Sequence, residues 1–384
     1  MTLRLLIVAT VASLLTGCYV TQAAHGQFEV LRRSRPIDKV VADPRTDPGT
    51  RTRLELVESL RNFAAVSLAL PDGRSYRTYT DLGRPDVVFN VVATPEFSVV
   101  PRRWCFPIAG CVAYRGYFDE RSARDFALKL SIRGDDVSVG GVPTYSTLGH
   151  LPDPVFAPML QWRDARLAGT IFHELGHERL YVQGDSEFNE AFASVVEEEG
   201  VRRWLEAAGR TDDLQQFVLV ASRERDFAML LREARGRLAR LYRSDLSVDQ
   251  MRIEKQRLFG RLKYDYELLK RGWGGYAGYD AWFARSLNNA DLAAVATYRD
   301  CMPGLQRVLA EAGSLPAFYA RMDDMARLPA KKRHEMLCRV RPIDRSSNKP
   351  ESAPQVLRQD AAHRGARNAQ LREPIAVAHG IERG

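Results

Sequence analysis

Three residues in the string His-Glu-Leu-Gly-His have the types and spacing of a metal site with a built-in base: His173, Glu174 and His177. On a helix, His173 and His177 lie one turn apart on the same face, so that both imidazoles can bind one Zn²⁺. Glu174 then lies beside the ion, where it can act as general base on an activated water. Glu190, in the string Asn-Glu-Ala-Phe-Ala, supplies the third, anionic ligand of a two-His-one-Glu catalytic zinc site.

The residues around this motif predict the two helices that must position it. Apolar and small residues flank the histidines, which predicts a buried helix from Pro154 or Ala157 to Val182. After a glycine-containing turn, an acidic helix is expected from Ser186 to Ala208, folding back to present Glu190 to the histidines. The competing interpretation is an ordinary amphipathic helix with two structural histidines.

Further residues support or compete with this set of ligands. Glu197 lies one or two turns beyond Glu190 on the same helical face, where its carboxylate can accept a hydrogen bond from a ligand imidazole and orient the ring. We expect Asn189, like Glu197, to support the metal ligands without binding the ion itself. A three-histidine site would need His150 or His334 instead, but a short loop brings Glu190 to the metal at a smaller entropic cost.

The start of the chain indicates where this chemistry takes place. Residues 1–17 have a basic beginning and an apolar run too short to span a bilayer, and they end in Leu-Leu-Thr-Gly before Cys18. This pattern predicts a lipoprotein signal peptide, with Cys18 as the acylated residue and residues 18–50 as anchor and linker. A plain secretory signal or an anchor helix is the alternative. Tyr19, rather than Asp, follows Cys18, and resemblance to known lipoprotein sorting signals then favours a periplasm-facing position on the outer membrane of a bacterial envelope.

The other cysteines fit an oxidising compartment. Cys105 and Cys111 enclose a loop that contains Pro and Gly, and a disulfide can close a loop of this length. We favour this bridge over two free thiols, because a Cys-x5-Cys spacing is a poor zinc signature. Cys301 and Cys338 could form a second bridge, which the sequence leaves open.

Composition limits the classes of function. The chain has 384 residues, of which 45% are hydrophobic, enough for one large or two moderate cores. Its net charge of +8 comes from widely spread Arg residues without interleaved aromatics, which argues against a nucleic-acid site. A basic envelope protein near anionic lipid headgroups accounts for this charge.

The region 51–150 is expected to be α/β with a small sheet. Hydrophobic periodicity and β-branched runs predict helices at Arg51–Ala65 and Asp119–Arg133 and strands at Asp86–Ala93, Cys111–Phe118 and Asp136–Val142. An edge strand before a motif helix can hold an extended peptide by main-chain pairing, and we expect residues 137–147 to do so. A purely structural strand is the alternative.

The region 151–338 is expected to be helical. Residues Asp212–Tyr242 and Val248–Arg271 predict an antiparallel helical hairpin, followed by a glycine-rich loop and short helices through Leu328. Residues 339–384 are polar and predict a disordered tail. The fold class is therefore α+β, mainly α: a small N-terminal sheet region packed on a helical metallopeptidase core with a long helical hairpin.

Longer strings show a family resemblance. The stretch HELGHERLYVQGDSEFNEAFASVVEEEG resembles the core of a bacterial aminopeptidase family of zinc-dependent lipoproteins, and GGVPTYSTLGHLPDPV, WCFPIAGCVAYRGYF and SLNNADLAAVATY fit the same family. The resemblance covers nearly all of residues 18–335. It implies that His173, His177 and Glu190 bind Zn²⁺ and that Glu174 is the base.

A second similarity limits what can be transferred. The Asn-Glu-Ala-Phe-Ala string is similar to a string of the large gluzincin aminopeptidases, which also carry a Glu where Glu197 falls. The spacer between the second His and the third ligand is shorter here, so substrate pockets do not transfer.

These inferences together predict a zinc-dependent peptidase, by resemblance an aminopeptidase, that acts on peptides in the cell envelope. Tyr181 and Tyr298 are candidates for the donor to the oxyanion of the tetrahedral intermediate, although packing roles are the simpler reading of both. Endopeptidase action is one alternative. A lipoprotein with a structural metal site and a docking function is another.

Overall fold

A computed structural model describes residues 19–106, 110–146, 151–295 and 301–338. The predicted signal peptide, the lipidation site Cys18 and the tail from residue 339 lie outside the described residues. The helices are α1 (residues 19–33), α2 (Ile37–Ala42), α3 (Pro48–Leu68), α4 (Glu120–Ile132), α5 (Asp164–Arg179), α6 (Ser186–Ala207), α7 (Thr211–Leu241), α8 (Val248–Gly272), α9 (Asp280–Ala284), α10 (Asn289–Val295), α11 (Met302–Ala312), α12 (Leu315–Ala326) and α13 (Ala330–Leu337). The strands are β1 (Arg35–Pro36), β2 (Thr78–Thr80), β3 (Val88–Pro95), β4 (Trp104–Phe106), β5 (Gly110–Val112), β6 (Arg115–Tyr117), β7 (Asp135–Val142) and β8 (Val155–Phe156).

The predicted fold class, α+β and mainly α, is confirmed. The strands form three small sheets, in the orders β1-β2-β8, β6-β3-β7 and β4-β5. The helices contribute most of the chain, and no helix of the described residues is long and apolar enough to cross a membrane. The largest core cluster joins α3, α5, α6, α11 and α12, so the motif helix lies inside a multi-helix core.

Local capping explains why the helices begin where they do. The Asp47 side chain accepts a hydrogen bond from Thr50 N at the start of α3, and Pro48 occupies the first turn, where its missing N–H costs nothing. Asp119 accepts from Ser122 N at the start of α4, so this helix also begins at an acidic cap. The predicted hairpin is also confirmed, with α7 and α8 packed against each other.

The predicted start of the motif helix was wrong. Residues before Asp164 form β8 and then a short 3₁₀ helix, Ala157–Gln161, which ends at an extended Trp162. Pro158 in the first turn fits this short helix, and the extended backbone of Trp162 and Arg163 separates it from α5. The motif helix is therefore one compact element of 16 residues that ends at Arg179 rather than Val182.

The predicted single strand Cys111–Phe118 was also wrong. It is split into β5 and β6, which belong to different sheets, and Ala113 and Tyr114 form the bend between them. A disulfide joins Cys105 to Cys111 across the β4-β5 pair. The alternating pattern was read correctly as extended chain, but it does not reveal where the chain changes its pairing partner.

The strand proposed to bind peptide, β7, is an edge strand of its sheet. Part of this edge is already occupied, because Asn288 Nδ2 donates to Val137 O at 2.9 Å and Ser138 Oγ donates to Asp291 at 2.7 Å. The main-chain acceptor Val137 O is therefore already used and does not pair with an extended peptide. Residue 147 of the predicted segment lies outside the described residues.

Two glycines allow α5 and α6 to approach closely. A methyl group at Gly176 would lie 3.3 Å from the Cα of Ala193, and one at Gly200 would lie 2.8 Å from the Phe172 ring. A glycine inside a helix costs about 1 kcal/mol relative to alanine. Here the cost is offset by the buried helix contact, which sets the distance between the histidines on α5 and the glutamates on α6.

Candidate metal centre

Three predicted ligands converge at the crossing of α5 and α6. Their donor atoms, one each from His173, His177 and Glu190, all lie within 4.8 Å of one another. His173 Nε2 lies 3.4 Å from Glu190 Oε2, and His177 Nε2 lies 3.7 Å from Glu190 Oε1. Both histidines are 3% exposed, so their rings are fixed by packing. The two imidazoles and one carboxylate therefore face a common point.

Glu174 follows His173 on the same helix and is 5% exposed. It lies near Tyr76, a buried residue with a left-handed backbone (φ +58°). Burial raises the pKa of Tyr76 well above its ordinary value, and the nearby negative charges of Glu174 and Asp153 add to the shift. Glu174 is thus held in a closed, partly apolar environment beside the histidines.

Glu197 supports His173 from the side opposite Glu190. His173 Nδ1 lies 3.0 Å from Glu197 Oε2, while Nε2 of the same ring faces Glu190. A hydrogen bond from Nδ1 to this carboxylate fixes the tautomer that leaves the Nε2 lone pair free for a metal. Gly169 makes room for the contact, because a methyl group there would lie 2.9 Å from Glu197 Oε1.

Asn189 closes the turn between the two helices. Its Oδ1 accepts from Val182 N and its Nδ2 donates to Val182 O, each at 2.8 Å. Both backbone groups lie in the segment that leads from α5 to α6. Asn189 is fully buried, and the next residue is Glu190. The role of Asn189 is therefore to hold the turn that presents this carboxylate.

The electrostatics of the site favour a cation. Burial lowers the pKa of His173, but hydrogen bonds with Glu190 and Glu197 outweigh it, so the pKa lies well above its ordinary value. Burial raises the pKa of Glu190, but hydrogen bonds with His173 and His177 outweigh it, so this pKa lies well below its ordinary value. Both shifts share one cause, the pairing of the His173 imidazole with the Glu190 carboxylate, which favours positive charge between them.

The donor set fits a divalent ion such as Zn²⁺. Two imidazole nitrogens and one carboxylate oxygen are the ligands of many catalytic zinc sites, and such sites leave one position open. In the described part of the chain, this donor group contains three residues, whereas structural zinc sites use four. Other divalent metals bind the same types of ligand, so these three residues are compatible with more than one metal.

The competing ligands do not join the group. His334 Nε2 lies 2.7 Å from Asp185 Oδ1, away from the other histidines, and His150 lies outside the described residues. A second group, Glu187 with Cys301 and Cys338, has suitable atoms, but the two cysteines form a disulfide and offer no thiolate.

Tyrosines border the site. The Tyr181 ring lies 6.2 Å from the His177 ring, measured between centroids. Tyr298 lies outside the described residues. Sequence reasoning missed Tyr114, at the bend between β5 and β6. Burial raises the pKa of its phenol to about 12, and the negative charges of Glu190 and Glu174 contribute to the shift, although 40% of the residue surface is exposed. Its position follows from the sheet pairing and not from any sequence motif.

The chain was compared with known proteins. The model of the family described as "Putative aminopeptidase" matches residues 18–337, which is most of the chain. No curated protein and no solved structure matched the chain. The protein therefore belongs to this aminopeptidase family, whose matched region includes α5, α6 and the entire candidate metal centre.

Proposed function

We propose that this protein is a metal-dependent peptidase, with aminopeptidase action as the first expectation and Zn²⁺ as the metal. The observation that carries the proposal is the convergence of His173, His177 and Glu190 on one point, with Glu174 buried beside them. The family description supports peptidase activity independently of this geometry.

A divalent ion at this point supplies a Lewis acid that polarises a carbonyl group and lowers the pKa of a water molecule. The chain's own residues do the rest. His173, His177 and Glu190 would hold the ion, with Glu190 contributing the negative charge, and Glu197 would keep His173 in the required tautomer. Glu174 accepts the proton of the attacking water and delivers it to the leaving amine.

We further propose that the protein acts in the bacterial cell envelope, anchored through a lipid on Cys18 and facing the periplasm. The Leu-Leu-Thr-Gly-Cys string supports this placement. Its disulfides, Cys105–Cys111 and Cys301–Cys338, fit an oxidising compartment.

The proposal is tested by separating metal binding from hydrolysis in purified protein loaded with Zn²⁺. We expect Glu174→Gln to keep one equivalent of metal and to lose nearly all hydrolysis of a peptide library. His177→Ala should lose both. Glu233→Gln, the same change at an exposed side chain of α7, serves as the matched control and should keep both. Hydrolysis that survives in Glu174→Gln would contradict the assignment of the base.

Aminopeptidase and endopeptidase action are distinguished by one pair of substrates. A peptide with a free amino terminus and its acetylated form are incubated with the wild-type protein. Aminopeptidase action predicts release of the first residue from the free peptide alone. Cleavage of both forms at an internal bond would replace it with the endopeptidase alternative.

A further inference from the structure

The turn between α5 and α6 determines where Glu190 lies relative to the histidines. It includes Gly184, with a left-handed φ of +82°, and Asp185, which begins α6. Asp185 Oδ1 accepts a hydrogen bond from Phe188 N at 3.2 Å and so caps the helix. Since Glu190 lies in the second turn of α6, a shift of this cap would move its carboxylate.

The Asp185 carboxylate is also held by residues of α13, which is far away in the sequence. Arg333 Nε and Nη2 donate to Asp185 Oδ2 at 2.8 and 2.5 Å. The side chains of Arg333 and Asp185 are 2% and 4% exposed, so this ion pair is shielded from solvent. His334 Nε2 lies 2.7 Å from the other oxygen of Asp185. Both oxygens of the cap are thus held by residues outside α6.

Arg333 is itself fixed on its remaining side. Its Nη1 donates to Leu328 O at 2.8 Å and to Ala326 O at 3.2 Å, at the end of α12. The guanidinium lies 5.0 Å from the centroid of the Phe188 ring, in the first turn of α6. A planar guanidinium with several fixed donors can join two helices in one geometry, which a lysine cannot do.

A disulfide ties α13 to the rest of the molecule. Cys338, the residue that follows α13, is joined to Cys301, the residue before α11. The bond limits how far Arg333 can move from Asp185. The chain of contacts runs from the disulfide through Arg333 and the Asp185 cap to the turn before Glu190.

We propose that Arg333 is a positioning residue for the metal centre: through Asp185 it fixes the first turn of α6 and thereby the Glu190 carboxylate. The inference rests on the metal site of the proposed function and deepens it, since it identifies a support for the third ligand. A buried ion pair also contributes to folding, and removal of one partner destabilises a protein. The test must therefore separate metal affinity from stability.

Another buried ion pair provides the matched control. Lys255 Nζ donates to Asp136 at 2.6 Å, with side chains 8% and 16% exposed, and joins α8 to the start of β7. Both residues of this pair lie on elements other than the α5–α6 turn, namely α8 and β7. Lys255→Met removes the ammonium group from Asp136, and Arg333→Met removes the guanidinium from Asp185, which keeps its contact with His334. Only the second change affects the cap of α6.

The experiment measures the dissociation constant for Zn²⁺ by competition with a chelator, on folded protein and without substrate. Loss of a residue that orients metal ligands weakens affinity by about 10- to 100-fold, and we expect this range for Arg333→Met. Lys255→Met should bind Zn²⁺ as the wild type does, even if its melting temperature falls as much as that of Arg333→Met. Co²⁺-loaded Arg333→Met should also show an altered visible absorption spectrum, because one ligand is displaced.

Two further variants keep the test decisive if Arg333→Met does not fold. Arg333→Lys keeps the charge and should lose less affinity than Arg333→Met, and the Cys301→Ser, Cys338→Ser double variant should weaken Zn²⁺ binding in the same direction. Wild-type affinity in the foldable Arg333 variants, or equal losses in Arg333 and Lys255 variants, would overturn the proposal. A wild-type protein that binds Zn²⁺ through His177 but cleaves no peptide would instead overturn the proposed function.

Discussion

His173 and Glu197 are joined by a contact of 3.0 Å between Nδ1 and Oε2, across the packed faces of α5 and α6. The contact exists because the residue beneath it is Gly169, whose missing side chain leaves space for the carboxylate. The opposite nitrogen of the same imidazole faces Glu190. The His173 ring is thus oriented by Glu197 and faces the metal site together with Glu190. Zinc enzymes orient their histidine ligands by outer carboxylates in the same way.

This relationship predicts that Gly169→Ala weakens metal binding. The added methyl group would lie 2.9 Å from Glu197 Oε1 and force the carboxylate away from His173. We expect a loss of Zn²⁺ affinity of about tenfold or more, measured by chelator competition. Gly260→Ala is the matched control, because this helical glycine has open space around its Cβ. That variant should keep its affinity and gain up to about 1 kcal/mol in unfolding free energy. Unchanged affinity in Gly169→Ala would argue against Glu197 as a support.

Tyr114 is predicted to contribute to turnover and not to metal binding. Its phenol lies within electrostatic range of Glu190 and Glu174. A phenol is protonated at neutral pH and can donate a hydrogen bond, and burial raises the pKa of this one further, to about 12. Removal of one donor to an oxyanion costs about 10²–10³ in kcat. We expect a loss of this order in Tyr114→Phe, with metal content unchanged, and a smaller loss in Tyr181→Phe. Full activity in Tyr114→Phe would exclude the role and leave Tyr181 as the described candidate.

The contacts of Asp185 predict that the folded protein loses part of its stability in acid. Burial raises its pKa, but hydrogen bonds with His334, Arg333 and Phe188 N outweigh burial, so the folded pKa lies below the ordinary value of 3.8. The unfolded chain therefore takes up this proton first as the pH falls. The stabilisation by Asp185 is complete above the unfolded pKa and is lost as the pH falls from there through the folded pKa.

The measurement is the free energy of unfolding in urea, with a chelator present, at about pH 6 and about pH 3.5, which bracket the unfolded pKa of Asp. Asp185→Asn should show a smaller decrease between the two pH values than the wild type. Asp245→Asn, at an exposed residue between α7 and α8, should behave as the wild type does. An equal decrease in all three proteins would show that Asp185 does not carry this acid sensitivity.

Local signals in the sequence predicted much of the fold. The start of α6 at Ser186 follows from the glycine-containing turn and the Asp185 cap, and the hairpin of α7 and α8 follows from periodicity. The spacing of His173 and His177 predicted their shared face because helical geometry alone determines it. The convergence of Glu190 was inferred from the short connection and is found in the structure.

Features that depend on distant contacts could not be predicted. Arg333 meets Asp185 across 148 residues. The helix that carries it, α13, lies in the region expected to be helical but beyond the short helices predicted through Leu328. Tyr114 lies within electrostatic range of Glu190 and Glu174, at the residue where the chain changes sheets, and periodicity does not encode that change. In both cases tertiary packing, and not local preference, decides the position of the side chain.

The central claim is that His173, His177 and Glu190 hold one divalent ion. It is tested most directly by anomalous diffraction at the zinc absorption edge, from crystals of the full chain loaded with Zn²⁺. The account predicts one strong anomalous peak bound by Nε2 of both histidines and by the Glu190 carboxylate, with Glu174 beside it. A peak elsewhere, or an ion bound without Glu190, would contradict it.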